Sequence, residues 1–304
     1  MQNITTCLWF NNDAEAAARL YTSIFANGKV ENPALYGEAG ENIPHRPAKD
    51  TVMTVPFKLN GRDFLGLNGG PAYKFTPAIS FFVDCNTEEE FTALFKTLSE
   101  KGSVLMPMAK YPFSERFAWV TDRFGVSWQL NLAHHPQKIM PFLMFNGKQF
   151  GKAEEAMRFY MSQFEDSHVV KLVHAKSEDT GIEGLHHAPE YVQQAIFTLH
   201  GEEFRVIDSP VEHTFGFTPG TSFMVNCETQ AEIDRLWSAL SAGGGEVQCG
   251  WLYDQYGVSW QIVPTALGQL MGKGNRAKND AMMRALLKMV KLDIADLKTA
   301  YDRG

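Results

Sequence analysis

The chain has 304 residues, 44% of them hydrophobic and 21% charged, a balance that gives each of two ordinary domains enough material for a core and excludes a disordered or fibrous chain. A formal net charge of −7 without a compensating basic run argues against a nucleic-acid partner. The longest apolar stretches, such as 139–145, are far too short to span a bilayer, so no membrane partner is expected, and residues 1–3 lead into a strand-like segment with no visible secretory signal.

In chain order, the first half reads as a strand over 3–10, a helix over 13–25, and strand-like segments near 29–36, 50–59 and 62–68. Leu20, Tyr21, Ile24 and Phe25 give that helix its apolar stripe. The pattern then restarts, with a strand over 78–84, a helix over 88–100 and strands near 103–109, 116–121 and 126–131. Phe91, Leu94, Phe95 and Leu98 form the second stripe, Thr87 with Glu90 predicts a capping box, and Gly102 closes the helix. Each half is therefore a doubled β-α-β-β-β pattern.

The second half repeats the first. Gly-Val-Ser-Trp-Gln at 125–129 returns at 257–261, and TPAISFFVDCNTEEE (76–90) aligns without gaps to TPGTSFMVNCETQAE (218–232). LNGRDF (59–64) matches LHGEEF (199–204), and CLWFNN (7–12) is echoed by FLMFNG (142–147). Phe159, Tyr160 and Phe164 repeat the first helix stripe. Ile233, Leu236, Trp237 and Leu240 repeat the second, with a Thr229–Glu232 capping box and a Gly243–Gly245 stop. The expected domains are 1–134 and 135–266, the halves superposing with Trp128 over Trp260, followed by a helical extension over 267–304. In that extension Met282, Leu286, Met289 and Val290 suggest one amphipathic helix, and Asp293 caps a shorter one over 294–301.

The last strand of each half carries the most usable pattern. Val126, Trp128 and Leu130 alternate with Ser127, Gln129 and Asn131, and Val258, Trp260 and Ile262 alternate with Ser259 and Gln261. The tryptophans should lie under helices. The Ser/Gln face then points to water or a ligand cavity, or its amides are hydrogen-bonded across the sheet and need no ligand.

Cysteines 7, 85, 227 and 249 form no C-x-x-C pair, and Cys85 and Cys227 occupy equivalent positions at the end of an apolar strand. They read as buried packing thiols, which fits a reducing cytoplasm. The pairs His134-His135 and His186-His187 stand beside Pro136 and Pro189 and read as linker and surface-loop residues, and His168, His174, His200 and His213 show no paired ligand spacing.

The repeated unit, the Asp-x-x-Gly turns at 122–125 and 254–257, and the segments CLWFNNDAEAAARLYTSIF, NGGPAYKFTPAISFFVDC, CGWLYDQYGVSWQIVP and LLKMVKLDIADL resemble the vicinal oxygen chelate superfamily. Within it they look like the PhnB-like branch, whose members are often labelled 3-demethylubiquinone-9 3-methyltransferase. The resemblance covers about residues 3 to 300. It implies an α+β fold of tandem glyoxalase/bleomycin-resistance/dioxygenase-like domains, each of two β-α-β-β-β modules whose sheets curve around a shared cavity.

Metalloenzymes of that superfamily draw ligands from the first and last strands of each module. Aligned on the first half, those positions fall on Thr6, Ala78, Gln129 and the acid-free stretch 65–68; in the second they fall on Pro141, Gly220 and Gln261, with Asp208 as the one carboxylate. Amides and carbonyls replace imidazole and carboxylate poorly at a transition metal, so no metal is expected. No cofactor is expected either. Gly243–Gly245 follows a helix and precedes a strand, the reverse of a nucleotide-binding turn, and Gly69-Gly70 leads from strand to strand.

The cavity candidates are Thr6, Asn68, Ser127 and Gln129 in the first copy and Asp208, Ser259 and Gln261 in the second. Trp9, Trp119 and Trp251 stand near strand ends, where an aromatic either covers a ligand or belongs to the core. The leading expectation is a metal-independent protein that binds a small organic molecule, its halves forming an intramolecular pseudo-dimer, with a homodimer of the chain as a further possibility. Two alternatives stand beside it: a lyase, isomerase or dioxygenase with a remodelled metal site using Asp208, a nearby histidine and Gln261, and a non-catalytic sequestering protein of the bleomycin-resistance kind.

Overall fold

The computed structural model describes residues 4–41, 46–176 and 190–304. The first half contributes β1 (Ile4–Phe10), α1 (Ala14–Ile24), β2 (Lys29–Val30), β3 (Ala34–Leu35), β4 (Val52–Leu59) and β5 (Arg62–Asn68), then β6 (Ile79–Cys85), α2 (Glu88–Ser99), β7 (Ser103–Tyr111), β8 (Ser114–Thr121) and β9 (Ser127–Leu132). The second contributes β10 (Lys138–Phe145), α3 (Ala153–Gln163), β11 (Val169–Ala175), β12 (Tyr191–Leu199) and β13 (Glu202–Asp208). It continues with β14 (Thr221–Cys227), α4 (Gln230–Ser241), β15 (Gly245–Glu246), β16 (Trp251–Tyr253), β17 (Ser259–Pro264), α5 (Thr265–Met271), α6 (Arg276–Leu286) and α7 (Ile294–Arg303).

The chain forms two compact units. Unit 1 takes residues up to Lys74 and from Thr218 onward, and unit 2 takes Phe75–Phe217. In unit 1 the curved mixed sheet runs β15-β16-β17-β14-β1-β5-β4-β2, and in unit 2 it runs β11-β12-β13-β10-β6-β9-β8-β7. Strand β1 pairs antiparallel with β14, placing Cys7 opposite Ser222, and β10 pairs antiparallel with β6, placing Phe142 opposite Ser80. Each sheet thus joins the first module of one half to the second module of the other. This differs from the expected pairing within a half, and the compact units do not follow the 1–134 and 135–266 repeat boundaries.

One face of each sheet packs on helices. Phe64 stacks on Phe57 with centroids 5.3 Å apart, and Phe57 lies 6.2 Å from Tyr21 of α1. Trp128 and Trp260 are buried on the corresponding faces, against Phe81 at 5.1 Å and Phe223 at 5.4 Å. Each such aromatic contributes by area burial and ring packing. The Asp-x-x-Gly turn before each last strand needs glycine at its end, since Gly125 and Gly257 adopt φ of +92° and +90°.

Local differences from the sequence reading have simple causes. The segment 29–36 forms two short strands, because Ala34 and Leu35 pair with β4 through an irregular register. Thr229 and Glu232 form the reciprocal capping box, whereas in α2 Thr87 accepts from Glu90 N–H at 3.2 Å while the Glu90 carboxylate accepts from Asn86 N–H at 2.7 Å and from Gln137 at 2.5 Å. In the extension, the short helix α5 adds to the expected pair, packing Leu267, Leu270 and Met271 into the cluster around Met282 and Leu286. Helix α6 ends at Leu286, so Met289 and Val290 lie beyond it; their carbonyls accept the Cys249 and Gly250 N–H groups at 2.8 Å. Asp293 caps α7 as expected, accepting from Asp296 N–H at 2.9 Å. Among the described residues no helix is long and apolar enough to cross a membrane.

Candidate functional site

Side chains alternate along a strand, and registered neighbours share a face, so the pairing assigns every candidate to a side. In unit 1, Thr6 registers with Phe64 and Phe223, and its side chain therefore lies among the helices. Its hydroxyl is buried without a hydrogen-bond partner among the described residues. Asn68 lies on the same side: Oδ1 accepts from Ala14 N–H at 2.9 Å and Nδ2 donates to the Val52 carbonyl at 3.0 Å. Asp208 repeats this role in unit 2, accepting from Gly151, Ala153 and Val192 N–H groups at 2.8, 3.1 and 3.0 Å. Burial pushes the Asp208 carboxyl above its ordinary value, against the pull of those N–H groups. Thr6, Asn68 and Asp208 are therefore corrected from cavity candidates to helix-side residues. Asn68 and Asp208 serve the N-termini of α1 and α3, whose own N-cap residues make no side-chain cap bond.

Ser127, Gln129, Ser259 and Gln261 lie on the opposite, open faces, as the pleat predicts, and all are buried. Gln261 donates to Ser222 Oγ at 3.0 Å, and Gln129 donates to Ser80 Oγ at 2.8 Å. Ser127 accepts from the Trp119 indole at 2.7 Å. Burial pushes the Cys7 thiol up to about 11, against the smaller opposing pull of the neighbouring Gln261 and Ser222 side chains. It stays neutral at physiological pH. Trp9 belongs to this face as well, meeting Tyr73 at 4.8 Å and Trp251 at 5.8 Å edge-on and donating to the Gly70 carbonyl at 2.8 Å.

At the Thr5 end of the open face of unit 1 lies a cavity of ≈ 300 Å³. Thr5, Pro56, Lys58, Asp63, Leu65, Met224 and Asn226 line it, completed by Glu31, Phe57 and Phe64. Lys58 pairs with Asp63, and Glu31 lies 3.6 Å from Lys29. Among the described residues neither the Thr5 hydroxyl nor the Asn226 amide has a hydrogen-bond partner. None of these wall residues was a candidate from sequence. Strand β1 is buried along nearly its whole length on both faces, which erases the alternation that would have marked Thr5 and Cys7.

The equivalent place in unit 2 is filled. Arg205, Phe82 and Asp84 stand where unit 1 has Leu65, Met224 and Asn226. The Arg205 guanidinium lies 3.8 Å from the Phe82 ring centre and 3.3 Å from Asp84, which also accepts from Asn131 at 2.7 Å. Phe142, in the place of Cys7, stacks on Phe82 at 6.2 Å, within a cluster that includes Phe117, Met140 and Met144.

The donor set does not suit a superfamily metal. Cys7, Ser222 and Gln261 in unit 1, and Ser80 and Gln129 in unit 2, include no carboxylate and no imidazole. Among the described residues no three of His, Cys, Asp and Glu gather as a metal-binding group. Of the histidines, His213 meets Ser209 at 2.9 Å and His174 meets Glu154 at 2.6 Å, while His186-His187 lie outside the described residues.

The family model described as 3-demethylubiquinone-9 3-methyltransferase matches the chain twice, over residues 2–131 and 137–263. A structure described as a putative 3-demethylubiquinone-9 3-methyltransferase, PhnB protein, from Bacillus cereus is 41% identical; it aligns to 42% of this chain and 98% of its own, with a TM-score of 0.38. A protein from Pseudomonas aeruginosa is 27% identical over 41% of this chain and 93% of its own, with a TM-score of 0.35. A glyoxalase I mutant from Zea mays aligns over 88% of this chain and 93% of its own at 9% identity, and its TM-score of 0.54 shows the shared vicinal oxygen chelate fold. No curated protein matches the chain.

Proposed function

We propose that this chain, which belongs to the 3-demethylubiquinone-9 3-methyltransferase family, binds a small organic molecule on the open face of unit 1 without a resident metal. The cavity of ≈ 300 Å³ carries this reading, since it combines apolar walls from Pro56, Leu65 and Met224 with unspent polar groups on Thr5 and Asn226. Gln261 and Cys7 stand beside it on the same face, in register with Met224 and Leu65 of its wall.

The family description names methyl transfer, so the glycine turns bear on whether a methyl-donor cofactor fits. A Cβ at Gly244 or Gly245 would lie 2.0 or 2.4 Å from atoms of Tyr253, and one at Gly69 would lie 2.2 Å from the Trp9 ring. These glycines admit the protein's own packing and do not form a cradle for a methyl-donor cofactor. The remodelled-metal reading loses its principal ligand, because both Asp208 oxygens are engaged by backbone N–H groups on the helix side. A sequestering protein without turnover remains compatible with the cavity.

The module exchange seen in both sheets supports an intramolecular pseudo-dimer, with the tandem halves doing what two single-copy chains would do. Cys7, Cys85, Cys227 and Cys249 are all free thiols, which supports a reducing compartment such as the cytoplasm.

A thermal-shift screen of small amphiphiles tests the reading, because a ligand that binds only the folded state raises its melting temperature. Compounds should stabilise the native protein and fail to stabilise Met224→Trp, in which the larger ring fills the cavity. Equal shifts in both proteins would refute the site.

A further inference from the structure

The internal repeat lets one unit report on the other. Cys7 and Phe142 hold the same place in the central strand pairs, and the strands beside them keep one register, so Leu65 corresponds to Arg205, Met224 to Phe82 and Asn226 to Asp84. In unit 2 the space over this part of the sheet holds the chain's own planar cation. The Arg205 guanidinium lies flat enough on Phe82 for a centroid distance of 3.8 Å and pairs with Asp84 at 3.3 Å. In unit 1 the shorter Leu65 leaves that space as the cavity, with Met224 in its lining and, at the position of Asp84, the Asn226 amide, which has no hydrogen-bond partner among the described residues.

The acceptor groups around the cavity suit the same kind of occupant. Its lining holds two carboxylates, Asp63 and Glu31, against one ammonium, Lys58, which is already paired with Asp63. Lys29 stands 3.6 Å from Glu31, so each acid has a cationic neighbour, and a cation in the cavity would meet the exposed Glu31 carboxylate and the amide oxygen of Asn226 as acceptors. The Met224 thioether offers a polarizable surface to a flat group, as the Phe82 ring does in unit 2.

We infer that the unit 1 cavity takes a planar organic cation, a guanidinium or amidinium carried on an apolar body, and that each chain binds one because Arg205 occupies the second site. This rests on the reading that unit 1 binds a small molecule, and it goes further by naming the chemical class.

Calorimetric titration of the full-length protein with benzamidine, benzamide and benzoate tests it, since the three probes share a ring and differ in charge. Benzamidine should bind once per chain and about ten-fold or more tighter than either of the others. Glu31→Gln, on the exposed side of the lining, should weaken benzamidine about three-fold at low salt and leave benzamide unchanged. Leu65→Arg combined with Asn226→Asp, which imports the unit 2 arrangement, should abolish benzamidine binding. If that double variant does not fold, the Glu31→Gln comparison alone decides. Failure of benzamidine to bind, binding twice per chain, or benzamide or benzoate binding as tightly would overturn the class. If benzamidine fails while a hit from the thermal-shift screen is still lost in Met224→Trp, the class is wrong and the site reading stands. A hit that survives Met224→Trp removes the site itself.

Discussion

The indole N–H of Trp128 donates to Asp122 Oδ2 at 2.9 Å, while Oδ1 of the same carboxylate accepts the Phe124 and Val126 N–H groups at 2.8 and 3.1 Å. Trp260 and Asp254 repeat the arrangement, at 2.9 Å for the indole and 2.9 and 3.0 Å for the Tyr256 and Val258 N–H groups. One buried carboxylate thus closes the turn and anchors the large ring that roots the last strand, which is why Asp, Gly and Trp recur together in both halves. Removing it leaves three donors, two of them buried, without this acceptor. Asp122→Ala should cost about 3 kcal/mol or more in denaturant unfolding, and Asp122→Asn less, because an amide oxygen still serves the backbone. Unchanged stability of Asp122→Ala would remove this account of the motif.

The two sides of the last strand should respond differently to substitution. Trp128→Ala, which empties the helix side, should cost about 3–5 kcal/mol. Gln129→Leu breaks the bond to Ser80 Oγ and should cost about 1 kcal/mol, much of it recovered by adding Ser80→Ala so that no lone hydroxyl is left. A double-mutant cycle with no coupling between Gln129 and Ser80 would contradict the observed pairing.

Cys7 gives a pH signature. Its folded-state value is raised from 9.0 to about 11 by burial, so the native thiol keeps its proton after the unfolded one has begun to ionise. The contribution is therefore fully present below pH 9.0 and lost as pH rises through about 11. The stability of the native protein relative to Cys7→Ala should fall across that window and stay flat from pH 6 to 8, and Cys7 should resist alkylation until the protein unfolds. Ready labelling of native Cys7 at pH 8 would show that the thiol is not held in this environment.

The extension beyond the repeat is anchored by Asp280 of α6, whose Oδ1 accepts from Glu38 N–H at 2.8 Å and Ala39 N–H at 3.4 Å. A Cβ at Gly37 would stand 1.9 Å from that oxygen. Gly37→Ala should therefore destabilise by about 2 kcal/mol in the native background and clearly less in Asp280→Ala, where the obstructing carboxylate is gone. Additive effects would mean that the close approach is not what demands glycine at 37.

The sequence was informative where one face of a strand or helix is polar. The alternation around Trp128 and Trp260 placed Gln129 and Gln261 on the open face, and the capping pattern of Thr229 and Glu232 appeared in full. It failed on Thr6, Asn68 and Asp208. A one-residue shift of parity moves a side chain through the sheet, and β1 is buried on both sides, so nothing in its letters fixes that parity. A polar residue at a strand end also reads as a lining group when its true role is to cap the following helix. The exchange of modules was invisible for a different reason: repeat alignment shows which segments are equivalent, and the pairing of β1 with β14 depends on which equivalent partner the chain selects.

Binding stoichiometry measured on matched variants tests the central claim most directly. The strongest hit of the thermal-shift screen should titrate to one site per chain in the native protein, lose binding in Met224→Trp, and retain it in Phe82→Met, which alters only the filled face of unit 2. Two sites per chain, or binding that survives Met224→Trp and disappears in Phe82→Met, would contradict a functional cavity in unit 1.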